Sequence, residues 1–204
     1  IGANGGMVVV TADDPGMHSS QNEQDNRHYA RFGKIPLLEP SDSQDCYDMV
    51  RAALDLSEEF EVPVLVRTTT RVSHSSGIVR LGDFARPPRG DRKYSKDISR
   101  TVPVPMYARG MRVRLEDKLH RLAERAETSP FQRVERGDDV GIVAAGIGYA
   151  YAREAFPEAS ILKLGMVYPL PERLIRDFAA SVNRLYVVEE GDGFVEEQIR
   201  AMGI

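Results

Sequence analysis

Residues 7–32 read MVVVTADDPGMHSSQNEQDNRHYARF, and the fold turns on how this stretch is taken. A β-branched apolar run, Met7 to Val10, feeds into two acids, a Pro-Gly and then a long polar series. Residues 6–12 read as a buried strand, because a short apolar run of β-branched residues bounded by turn formers suits a pleated core position. The polar series is then the loop at that strand's carboxyl end. Residues 23–32 read as a short helix. The next stretch, PSDSQDCYDMVRAALDLSEEF (residues 40–60), is a strong helix: Cys46, Met49, Val50, Ala53, Leu54, Ser57 and Phe60 fall on one face at 3.6 spacing. Ser41 and Gln44 supply an S-x-x-Q capping box at its start. VPVLVRTTT, from Val62, is a second buried strand, and strand–helix–strand with a long crossover implies parallel pairing with a right-handed connection.

Two further zones follow. Residues 73–136 hold the Pro/Gly-rich, charged segment ARPPRGDRKYSKD and a charged helix over residues 114–128. The stripe Leu115, Leu119, Leu122, Ala126 marks that helix as one covering a surface. From residue 137 strands alternate with helices: DVGIVAAG, YAYAREAF, SILKLGM, PERLIRDFAASV with Pro171 near its first turn, RLYVVEE and FVEEQIRAM. That pattern predicts a small, mostly parallel three-stranded sheet open to extension by other parts of the chain.

The 204 residues, 42% hydrophobic and 28% charged, are enough for one large or two small globular domains. No apolar run reaches the ~20 residues of a membrane span, and no secretory leader pattern is visible. Cys46 is the only cysteine, which excludes an internal disulfide and a cysteine-ligated zinc or iron–sulfur centre within these residues, and suits a reducing cytoplasm. Its place on the apolar helix face reads as a core thiol. Charge is uneven: residues 71–136 carry 16 Lys+Arg against 8 Asp+Glu, whereas the remainder carries 11 against 23. Without interleaved aromatics the basic stretch reads as a solvated connector rather than a nucleic-acid surface. Ile1 is not Met and both ends look cut, so a piece of a longer polypeptide is expected.

Candidate chemistry concentrates at two strand ends. In open α/β sheets ligands collect at the carboxyl ends of strands. The first loop offers Asp13, Asp14, His18, Ser19, Ser20, Gln21, Asn22, Glu23 and Gln24, and the second offers Arg67, Thr68, Thr69, Thr70, Arg71 and His74. If the strands are neighbours, both loops face one cleft, and Arg and Thr there suit a carboxylate or phosphate. From the pattern alone, a self-capped hydrated rim stands level with that reading. His18, His28, His74 and His120 lack metal-ligand spacing, and G-x-S-x-G is absent, so neither a metal site nor a nucleophile elbow is expected. Gly146 and Gly148 in AAGIGYAYAREA give only a partial dinucleotide fingerprint, and a tight strand-to-helix turn explains them better. Glu189 and Glu190 in VVEEGDG read as exposed strand-end acids.

GGMVVVTADDPGMHSSQNEQDNRHYARFGKIPLLEPSDSQDCYDMV, VPVLVRTTTRVSHS and the run from AETSPFQRV through KLGMVYPLP to EEQIRAMGI resemble the α-subunit family of indolepyruvate:ferredoxin oxidoreductases. The likeness covers nearly the whole chain and thins over residues 80–112. It implies an α/β fold: a partial thiamine-pyrimidine-type domain with a parallel sheet (residues 1–75, its second half), a linker with a charged helix (residues 76–136) and a transketolase-C-terminal-like α/β domain (residues 137–204). It also implies, for the complete protein, oxidative decarboxylation of an aryl 2-oxoacid such as indolepyruvate. Thiamine diphosphate, Mg²⁺ and [4Fe-4S] clusters would serve as cofactors, with coenzyme A as acyl acceptor and ferredoxin as electron acceptor. A β subunit, within a homo- or hetero-oligomer, is the implied partner; neither nucleic acid nor membrane is. By the same resemblance His18, Ser19, Ser20, Gln21 and Asn22 face substrate or cofactor, with Thr69 and Arg71 beside them for the 2-oxoacid carboxylate. The family's catalytic glutamate, its Mg²⁺–diphosphate motif and its clustered cysteines have no counterpart here, so this piece alone is expected to be inactive and to hold no cofactor. Two alternatives stay open: the same chemistry on another 2-oxoacid, and a non-catalytic assembly module.

Overall fold

The computed structural model describes residues 2–3, 5–83 and 96–204. The segment ARPPRGDRKYSKD therefore lies, up to residue 95, outside the described residues. Among the described residues eight strands form two four-stranded sheets, accompanied by eight helices. The first contains β1 (Val8–Asp13), β2 (Leu37–Leu38), β3 (Val64–Thr69) and β7 (Met166–Tyr168) in the order β1-β3-β2-β7. The second contains β4 (Arg133–Glu135), β5 (Val140–Ala145), β6 (Ser160–Leu164) and β8 (Arg184–Val188) in the order β4-β6-β5-β8. The helices are α1 (Arg27–Gly33), α2 (Ser43–Phe60), α3 (Thr70–Ser73), α4 (Ile98–Thr101), α5 (Pro105–Glu127), α6 (Ile147–Ala155), α7 (Glu172–Ala180) and α8 (Phe194–Ala201).

β1 and β3 pair in parallel, from Val8 opposite Val64 to Asp13 opposite Thr69, with α2 as the crossover. The expected pairing is thus formed, but β1 is an edge strand. With a neighbour on one side only, Val9 and Val10 stay 40% and 62% exposed, where the apolar run predicts burial. α2 buries Met49, Ala53, Ser57 and Phe60 against Val64 and Val66, while Leu54, on the flank of the stripe, is exposed and Cys46 is half-buried. Its cap differs from the expected box. Asp42 is the N-cap and accepts from the Asp45 N–H at 2.8 Å, while Ser41 Oγ donates to Asp45 at 2.6 Å. Gln44 instead bonds Asp48 and residue 80.

The first helix begins at Arg27 rather than residue 23, because Asn26 is tied back to Asp13 and holds the preceding turn open. α5 begins at Pro105, nine residues before the expected start, with proline at its first turn, where a missing N–H costs nothing. Its Leu122 and Ala126 join the core of Leu38, Met49, Val64 and Met166, so it contributes to a core as well as covering it.

The expected three-stranded sheet gains an antiparallel fourth strand, β4, on β6. SILKLGM is not one strand either: it breaks at Gly165, and β7 leaves to pair antiparallel with β2 in the first sheet. A Cβ at Gly165 would lie 2.5 Å from the Phe131 Cβ, and Gln132 accepts from the Gly165 and Met166 N–H groups, so the chain changes sheets through a gap only glycine fits. The largest core lies between the sheets and gathers Leu37, Leu65, Val143, Leu162, Leu164, Ile175, Phe178 and Phe194. α6, with Tyr149 and Ala152, closes the opposite face of the second sheet on Ile142, Ala144 and Ile161.

Candidate functional site

The in-register end of β1 and β3 places the loop after Asp13 and the turn into α3 side by side. Asp14 clamps them. Its carboxylate accepts from the Thr70 hydroxyl and, through Oδ2, from the N–H groups of Ser19 at 2.8 Å and Ser20 at 2.6 Å. These bonds favour the anion, the Thr70 bond most, and hold Asp14 at about 2 against an ordinary 3.8. Glu23 accepts from Gly16 N–H at 2.9 Å and Gln24 donates to Ser20 at 3.0 Å, so the loop is laced by its own side chains. Gly16 and Met17 both take positive φ, +75° and +58°, in the turn that sends the chain back over the strand tips.

Under this loop lies a buried charge cluster. Arg67, 0% exposed, donates from Nε to Asp13 and from Nη1 to Glu39, both at 2.6 Å, and from Nη2 to the Glu190 carbonyl at 3.3 Å. Arg27, equally buried, forks onto Asp25 and reaches Glu189 at 2.5 Å and the Asp192 carbonyl at 2.8 Å. Burial pushes each guanidinium down, but the surrounding carboxylates outweigh it and raise both arginines. For Asp25 burial works upward, and the Arg27 bonds and charge overcome it, leaving the carboxyl below its ordinary value. Glu189 also accepts the Val195 and Glu196 N–H groups at the start of α8; expected as an exposed strand-end acid, it instead has a side chain 7% exposed, caps a helix and anchors an arginine, and the Glu190 side chain is likewise mostly covered. Asp25, His28 and Asp192 bring ligand atoms within 4.8 Å of one another, but both Asp25 oxygens already accept from Arg27, and a cation there would face a guanidinium.

Along 98–100% of its residues the chain is 44% identical to indolepyruvate oxidoreductase subunit IorA of Archaeoglobus fulgidus and 46% identical to that of Methanothermobacter thermautotrophicus. Over that span the chain is similar to the IorA subunits of indolepyruvate oxidoreductases. It spans about a third (34%) of the length of those relatives. No protein-family model matches it. Among solved structures, 2-oxoglutarate:ferredoxin oxidoreductase from Magnetococcus marinus aligns over 97% of this chain and 44% of its own, with a TM-score of 0.71 at 18% identity. A split-gene transketolase aligns over 95% of this chain and 53% of its own, with a TM-score of 0.52 at 18% identity. Both share the α/β fold with parallel sheets.

In this IorA-like chain, His18, Ser19, Gln21 and Asn22 are exposed on the loop and Ser20 is half-buried, with the backbone N–H groups of Ser19 and Ser20 already given to Asp14. Arg71 is exposed across the tips, its Nη1 on Glu190 Oε1 at 2.5 Å. A guanidinium has five donors, so a second carboxylate has bonds left to take. Thr69 is 1% exposed and its hydroxyl has no partner among the described residues; it belongs to the buried layer, not the rim. The sequence puts Arg67 at a strand end without revealing its burial, and gives Arg27 and Glu39 no distinguishing motif. The one signal was charge inside apolar runs: VLVRTT and LLE carry an ion where a two-face-buried strand favours Val or Leu.

Proposed function

We propose that this chain forms one wall of the cleft of a thiamine-diphosphate-dependent 2-oxoacid:ferredoxin oxidoreductase acting on aryl 2-oxoacids such as indolepyruvate. In this reading residues 1–75 are the second half of a pyrimidine-side domain, 76–136 a linker and 137–204 a transketolase-C-terminal-like domain. One observation carries it: β1 and β3 are in-register neighbours, so residues 14–24 and 70–74 share one edge of the sheet. The donor set suits part of the cofactor's surroundings. Exposed imidazole, hydroxyl, amide and guanidinium groups fit the polar edge of a ring or a 2-oxoacid carboxylate. The cofactor, bound mainly by the remainder of the complete protein, supplies the carbon chemistry that side chains lack. This chain's residues bind and orient: Arg71 takes the carboxylate while sharing Glu190, and His18, Ser19, Ser20, Gln21 and Asn22 line the approach. Thr69 supports them from below.

The catalytic glutamate, Mg²⁺, [4Fe-4S] clusters, β subunit, coenzyme A and ferredoxin belong to the complete assembly, placed in the cytoplasm, and this piece alone is inactive. No helix among the described residues is long and apolar enough to cross a membrane. The test is steady-state kinetics of the complete enzyme carrying R71A, S20A or Q21A. R71A should raise KM for the 2-oxoacid more than it lowers kcat, since it removes binding shared by ground and transition states. Unchanged constants in all three variants would overturn the proposal.

A further inference from the structure

Six charged side chains from five segments meet in the closed contact between the sheets: Asp13, Asp25, Arg27, Glu39, Arg67 and Glu189. Fully ionised, they would set four negative charges against two positive. Their hydrogen bonds are unevenly shared. Asp13 accepts from Arg67 Nε and from the N–H and side-chain amide of Asn26. Asp25 accepts from the Arg27 fork and from the N–H groups of Arg27 and Asp192. Glu189 accepts from Arg27 and from two helix N–H groups. Glu39 accepts a single side-chain bond, Arg67 Nη1 on Oε1, and its Oε2 has neither solvent nor a partner among the described residues. It is 1% exposed, and Gly146 closes over it so tightly that a Cβ there would stand 2.7 Å from Oε1.

We propose that Glu39 is the proton holder of this cluster: a neutral carboxylic acid, packed between the strand tips of the first sheet and the Gly146 turn of the second, whose neutrality spares that contact an uncompensated buried charge. An anion with one bond and no water is the costliest member of the group to keep charged. As an acid it still accepts the Arg67 bond on Oε1, while Asp13 balances Arg67 and Asp25 and Glu189 hold Arg27. The charged groups facing it come from every neighbouring segment: Arg67 from β3, Asp13 from β1, Asp25 and Arg27 from the start of α1, and Glu189 from the turn after β8. Burial raises the Glu39 pKa above its ordinary 4.5, more than the two arginines lower it. A raised carboxyl binds its proton more tightly folded than unfolded. Its stabilisation is complete below the unfolded value and is lost as pH climbs through the folded one, with each unit in between weakening the folding constant about tenfold. The inference rests on packing alone and stands whether or not the cleft is catalytic.

Thermal unfolding of the chain and of E39Q between pH 5 and 9 tests it, with infrared difference spectra of the same pair. Glutamine mimics the neutral acid. E39Q should therefore melt at or above the parent at the alkaline end and lack the parent's fall in stability, and the parent minus E39Q spectrum should show a protonated, slowly exchanging carboxyl band at neutral pH. An E39Q chain that melts below the parent throughout or does not fold, or a parent without that band, overturns the proposal.

Discussion

Arg67 is the residue whose removal tells most about how this fold is held. Replacing it with methionine keeps much of the aliphatic stem and deletes the guanidinium. Three bonds vanish together, to Asp13 and Glu39 at 2.6 Å and to the Glu190 carbonyl at 3.3 Å, and Asp13, 1% exposed, loses its cationic partner. Breaking a buried pair by removing one partner costs about 3–5 kcal/mol, because the stranded charge retains its desolvation penalty. Taking about 4 kcal/mol, and about 2–4 °C per kcal/mol for a chain of this length, R67M should lower Tm by roughly 12 °C. The matched control is R71M. Arg71 also pairs with an acid, at 2.5 Å, but its side chain is 42% exposed, so water replaces what the mutation removes. That exchange costs about 0–1 kcal/mol, or at most a few degrees. Calorimetry or circular-dichroism melts of both variants in one buffer decide the matter. Equal shifts in R67M and R71M, or a loss below about 1 kcal/mol in R67M, would refute the claim that the buried cluster holds the two sheets together.

Two further outcomes follow from the loop and the turn. D14N should free the loop from the strand tips, seen as faster amide hydrogen exchange at Ser19 and Ser20, whose N–H groups it holds. Because the folded Asp14 is depressed to about 2, its contribution is present above the unfolded value of 3.8 and disappears as pH falls through about 2, so parent protection should persist well into acid. Protection unchanged in D14N would remove Asp14 as the clamp. G146A should cost about 1–3 kcal/mol, read as a lower urea midpoint, because Gly146 has φ +53° and the new methyl would meet Glu39. A midpoint equal to the parent's would mean that this turn is not tightly packed on Glu39.

Locally encoded features were legible in the sequence. α2 presents Met49, Ala53, Ser57 and Phe60 because 3.6-residue spacing fixes a face whatever surrounds it, and VPVLVRTTT becomes β3 because a β-branched run flanked by breakers has few other options. The strand–helix–strand order also implied the parallel β1–β3 pair, and with it two polar loops at one edge. The sequence could not show that β1 lies at an edge, or that SILKLGM divides between two sheets, since both depend on which strands are neighbours. Least visible was the ion cluster. Arg67 and Glu39 are 28 residues apart, and Arg27 and Glu189 are 162 apart. A charge is tolerable in a core only where opposite charges and hydrogen-bond donors converge on it, so what makes Arg67 a buried residue is the meeting of two sheets rather than the residues beside it in the chain.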